Sequence, residues 1–162
     1  MISNPKWLPP KIDTNGVWEI VLIKLYNVFD NDFIIKKCHF DTYKIIFDDR
    51  KIDSPYEEGF WHLISQVNHT TNQREPDFPR AQKLPWCKPV IENHNDDLIK
   101  CWDYEEADKR IRTYIWLEDS DYIVIIENKK AIAFLVSAFH VYDEFSRLKL
   151  TRKYSKRVQN CT

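Results

Sequence analysis

The hydrophobic pattern divides this chain into a helical front and a strand-rich back. In front, Trp18, Val21, Leu22, Leu25, Tyr26 and Phe29 recur at helical spacing, with Asp13, Thr14 and Asn15 upstream as N-cap candidates, so the pattern predicts an amphipathic helix over 17–29. Short apolar runs at 34–40 and 43–47 read as strands around Asp41-Thr42, and a polar turn begins at Asp48. Gly59-Phe-Trp-His-Leu-Ile-Ser65 is an apolar run broken by one His, and it predicts a strand with Phe60, His62 and Ile64 on one face. The polar stretch 66–79 predicts a long loop, and Pro85 and Pro89 divide 80–93 into two short helical turns around Trp86.

Behind these lie four strand-like runs at 98–104, 110–117, 121–127 and 131–141, joined by turns short enough to require antiparallel neighbours. In the last run a period of two places Ala133, Leu135, Ser137 and Phe139 on one side and His140 on the other. Ser137 and His140 then meet only through a bulge. A helix from about Asp143 closes the chain. Together these elements predict an α+β fold: an N-terminal helix or helices, a four-stranded antiparallel sheet, and a basic C-terminal helix. No repeat or linker interrupts the 162 residues, which predicts a single domain over 1–162 with a helical N-terminal part over 1–42 and the core over 43–157.

A net charge of −1 means that any affinity for nucleic acid rests on segregation of charge, with acids crowding 41–58 and Arg147, Lys149, Arg152, Lys153, Lys156 and Arg157 falling within eleven acid-free residues. With two Gly in the chain, a phosphate-binding Gly loop, a Rossmann fingerprint and a nucleophile elbow are all absent. Six Trp supply flat surfaces that either pack in a core or stack on bases. The four Cys, at 38, 87, 101 and 161, form no C-x-x-C pair and nothing resembles a signal peptide, which predicts a reduced, cytoplasmic setting. No His or Cys pair has metal-site spacing, so neither metal nor cofactor is expected. No apolar segment reaches the ~18 residues of a membrane span.

The run 110–117 carries Arg110, Arg112, Tyr114 and Trp116 on one face. Two guanidiniums beside two aromatics can hold a phosphate and stack a base, or can simply cover an exposed sheet. Arg80 and Lys83 either rim that face or stand in solvent. His62, set among aromatics and a Leu, is either a catalyst or a satisfied core residue.

The order of a helical front, Gly59-Phe-Trp-His62-Leu-Ile, then four strands ending in Phe134-Leu-Val-Ser137-Ala-Phe139 and a basic tail, resembles the metal-independent nuclease toxins grouped with barnase, EndoU, colicin D and RelE. It is most similar to their phage- and mobile-element-borne branches, whose late strand reads Leu-Val-Thr/Ser-Ala-aromatic. The likeness covers roughly 43–157, and Phe139 departs from it in having no hydroxyl. The resemblance implies that His62 is the early catalytic His, Ser137 the late-strand hydroxyl and Arg112 a phosphate-binding Arg. The expected activity is endoribonucleolytic, by 2′-hydroxyl attack on the phosphodiester, with Arg80, Lys83, Arg110, Tyr114, Trp116 and Lys153 binding substrate. The second acid is open between His140 and Tyr154. The expected partners are RNA, tRNA among the candidates, and a neutralising immunity or antitoxin protein. A non-catalytic RNA-binding or protein-interaction module on the same fold is the alternative.

Overall fold

The structure, a computed structural model, describes residues 3–161. Helix α1 (Trp18–Phe29) forms where the period placed it and buries Val21, Leu25 and Phe29. The helical course then continues as a π-helical turn, Asp30–Ile35, in place of the strand expected from 34. Packing explains the difference, because Phe29 and Phe33 lie 5.4 Å apart and both rings reach Phe47, so the apolar period stays helical for another turn. Strand structure in this region is confined to β1 (His39–Phe40) and β2 (Tyr43–Ile46).

The run 59–65 is a helix, α2 (Glu58–Ile64), which corrects the expected strand. Phe60, Leu63 and Ile64 stand at i, i+3 and i+4 and all are buried. Seven residues can satisfy either period, and contact with α1 through Tyr26 and Phe29 selects the helical one. Gly59 is needed for that contact, since a Cβ there would sit 2.9 Å from the Phe47 Cβ and 3.2 Å from the Asp48 carbonyl. Gly59→Ala is therefore expected to cost about 1–3 kcal/mol, seen as a lower denaturant midpoint at unchanged slope. An unchanged midpoint would show that Phe47 moves aside freely.

The stretch expected to be a long loop is a hairpin of β3 (Ser65–Asn68) and β4 (Gln73–Pro76). Then follow α3 (Phe78–Gln82), a 3-10 turn at Leu84–Trp86, and α4 (Cys87–Glu92), broken by prolines as anticipated.

Strands β5 (Lys100–Glu105), β6 (Ile111–Leu117), β7 (Tyr122–Lys129) and β8 (Ile132–His140) form the antiparallel meander. The sheet is larger than the expected four strands, however, and it is mixed and curled. After the short helix α5 (Glu144–Ser155), β9 (Gln159–Asn160) returns to β5, while β2 lies parallel to β8, giving the order β1-β2-β8-β7-β6-β5-β9. The runs at 34–40 and 43–47 already marked β1 and β2 as strands, but their joining the main sheet depends on the β8 edge, and β9, with two residues, has too little pattern of its own to be recognised before the β5 edge that receives it exists.

One sheet face packs against α1–α4 through Ile115, Leu117, Tyr122, Val124, Ile126, Leu135 and Ala138. The other carries Trp102, Tyr114, Trp116, Ile123 and Ile125 beneath Leu150 of α5. Cys101 and Cys161 are joined in a disulfide, which corrects the reading of all four cysteines as thiols, while Cys38 and Cys87 are free and buried. Among the described residues no helix is long and apolar enough to cross a membrane.

Candidate functional site

The site grows from an irregularity in β8. Strand β2 covers Ile132, Ala133 and Phe134 and no more of β8, so the rest of that edge faces α2 and α3, with the β3–β4 hairpin on the same groove. A bulge opposite Ile125 and Ile126 pairs Leu135 with Ile126 and Ser137 with Ile125, leaving Val136 as the extra residue. Ser137 thereby leaves the core-facing row of Ala133 and Leu135 and joins Val136 and Phe139 on the opposite face. His140, paired with Tyr122, stays on the core side, so the bulge does not bring it to Ser137.

An open groove of about 400 Å³ lies against this edge, and His62, Ser65, His69, Arg74, Arg80 and Ser137 line it. His62 stands in the last turn of α2 and is half-buried. Burial first, and then the Arg74 guanidinium, lowers its pKa, against the smaller opposing pull of Glu58 and Asp48. The neutral imidazole is thus the resting form. Arg80, largely shielded, donates through Nη1 to the carbonyls of His62 at 3.0 Å and Ser65 at 2.8 Å. Its Nε lies 3.4 Å from the buried carboxylate of Asp77, and its guanidinium lies over the Phe139 ring. Asp77 also caps α3, accepting the Arg80 backbone N–H at 3.1 Å, and accepts the Tyr142 hydroxyl. Arg74 donates to Ser65 Oγ at 3.3 Å and otherwise reaches into solvent. The arrangement offers two guanidiniums for an anion, a hydroxyl donor, and two imidazoles to move protons.

The other expected site residues are elsewhere. Arg112 is on the Ser137 face of the sheet but on β6, two strands from β8, hence ~10 Å away across the sheet. It pairs with Glu127 at 3.9 Å and does not line the groove. Arg110 is exposed beside Asp108. Tyr114 and Trp116 are 2% and 0% exposed, packed with Trp102, and have no face to offer a base. Lys153 is held by Glu106 at 3.1 Å and by the Tyr114 hydroxyl at 2.7 Å. Lys83 is buried on the opposite side of the sheet, donating to the Ser120 carbonyl at 2.7 Å and lying 2.8 Å from His140 Nδ1, and burial lowers its pKa to about 8. Tyr154, in the last turn of α5, packs on Trp102.

His69 and Arg74 were missed because the hairpin that presents them is almost wholly exposed and so has no apolar alternation. The Asn68-His-Thr-Thr-Asn72 segment, with Asn72 at a φ of 57°, was the available turn signal. No family model, curated protein or solved structure matches this chain. The functional reading therefore rests on the groove.

Proposed function

We propose that the protein is a metal-independent endoribonuclease of toxin type. The observation that carries this reading is the single groove shared by His62, His69, Ser137, Arg74 and Arg80. His62, neutral at rest, takes the proton of the RNA 2′-hydroxyl, whose oxygen attacks the adjacent phosphorus. Arg74, Arg80 and Ser137 stabilise the charge gathering on the phosphoryl oxygens, and His69 protonates the departing 5′-oxygen. The products are a 2′,3′-cyclic phosphate and a free 5′-hydroxyl. In this scheme Arg74 and Arg80 take the phosphate-binding role first given to Arg112, and His69 is the acid. The exposed Lys149, Arg152, Lys156 and Arg157 of the C-terminal segment draw RNA, tRNA among the candidates, toward the protein. A neutralising immunity or antitoxin protein belongs to the same reading. RNA as substrate makes the cytoplasm the place of action, while the Cys101–Cys161 bond is of a kind that forms in oxidising compartments.

Purified protein incubated with RNA in excess EDTA tests the proposal directly. Fragments ending in 2′,3′-cyclic phosphate and 5′-hydroxyl are expected; fragments with 5′-phosphate ends, or intact RNA, would remove it. The pH profile adds a second check. Because burial and Arg74 hold the folded His62 pKa down, the acidic limb of kcat/KM should lie below the ordinary imidazole value of about 6.5. The stability sign is consistent with this: the unfolded chain protonates His62 more readily, so its contribution is complete above about pH 6.5 and is lost as pH falls toward the folded value. An acidic limb above pH 7 would rule out His62 as the base.

A further inference from the structure

Next to the phosphate groove, across Ser65 and Arg74, lies a second cleft of about 410 Å³. Trp18 of α1 and Trp61 of α2 form its flat walls, and Asp53, Glu58 and Glu75 supply its charge beside Arg74. Glu58 and His62 are one helical turn apart on α2, so one helix face serves both compartments, Glu58 in the cleft and His62 in the groove. The indoles are held in place: Trp61 Nε1 donates to Ser54 Oγ, also on the cleft wall, at 3.0 Å, and Trp18 meets Phe78 edge-on with ring centres 6.0 Å apart. Three carboxylates against one guanidinium make this cleft hostile to a second phosphate and receptive to N–H donors.

We infer that this cleft is a nucleobase subsite selective for guanine; the inference rests on the proposed nuclease reading and names its substrate preference. The two compartments adjoin through Arg74 as a nucleotide's phosphate and base adjoin through its ribose. A base entering the cleft finds indole surfaces to stack on and carboxylates at its edge. Guanine presents N1–H and N2–H side by side, and two parallel donors suit one carboxylate in the same forked geometry that arginine uses. Uracil turns two carbonyl oxygens toward such a carboxylate around a single N–H. Adenine and cytosine each pair one amino donor with a ring nitrogen that accepts, so half of their edge is opposed.

Titration of the intrinsic tryptophan fluorescence with guanosine 3′-monophosphate and with uridine 3′-monophosphate tests this without any need for turnover. Guanosine 3′-monophosphate should bind about 10- to 100-fold more tightly, the loss expected when a charged acceptor has no donor to face. Glu58→Gln should abolish most of that difference, and Asp53→Asn is the second variant, because Asp53 is exposed at a φ of 50° that asparagine tolerates. Trp18→Leu should weaken both nucleotides by about tenfold through lost stacking. Equal affinities, tighter uridine binding, or an unchanged preference in both carboxylate variants, with thermal unfolding confirming that they fold, would overturn the inference. Guanosine preference in a protein that leaves RNA intact sustains the subsite and removes the nuclease, whereas cleavage at all bases alike sustains the nuclease and removes the subsite.

Discussion

His62→Ala is expected to slow RNA cleavage by roughly 10²- to 10⁴-fold while leaving RNA affinity nearly unchanged. The split follows from the geometry. What Arg80 holds is the backbone carbonyl of His62, at 3.0 Å, so removing the imidazole leaves the end of α2 and the guanidinium in place. Arg74, Arg80 and the basic C-terminal segment still bind the phosphates, and the missing part is the group that accepts the 2′-hydroxyl proton. Single-turnover cleavage and RNA binding, measured on the same preparation, separate the two quantities. A variant that cuts at the wild-type rate would remove His62 from the chemistry. Wild-type protein that binds RNA in the groove and never cuts it would be a binding module. In bacteria, growth arrest and discrete RNA fragments on expression should both disappear with the same substitution.

Asp77→Ala is expected to lower stability by about 3–5 kcal/mol and to lower cleavage with it. The Asp77 carboxylate is fully buried and is used three times: it pairs with Arg80, caps α3 and accepts from Tyr142. Without it the guanidinium of Arg80, already disfavoured by burial, has no counter-ion, and the cap adds about 0.5–2 kcal/mol of its own. Arg80 is also the tie between the end of α2 and the start of β3, through the carbonyls of His62 and Ser65, so the groove loosens as the pair is broken. Urea unfolding read beside cleavage at a temperature where the variant is folded distinguishes the two effects. Asp77→Asn, which preserves the cap, should lose less stability than Asp77→Ala. If Asp77→Ala melts like the wild type, those two carbonyls alone hold Arg80.

The sequence by itself determined the helix over 17–29 and the four long strands from 98 to 141, because each is long enough for its period to be unambiguous, and it placed a helix from about Asp143. It also singled out His62 and Ser137, each the odd polar side chain in an apolar run, and the structure places both on one groove. Tertiary structure decided the rest. Residues 59–65 satisfied both periods until Tyr26 and Phe29 packed on one of them, the strand read at 43–47 found its place as β2 only against β8, and β9 became a strand by meeting an edge formed far away in the chain. The hairpin bearing His69 and Arg74 has no buried face to declare it. Tyr114 and Trp116 share their alternate side of β6 with Arg112, as the pattern said, yet they are sealed beneath α5 while Arg112 is not. Alternation along a strand fixes which side chains lie together on a face. Whether that face meets water, a helix or a ligand depends on segments that return from elsewhere in the chain, and local period carries no record of them.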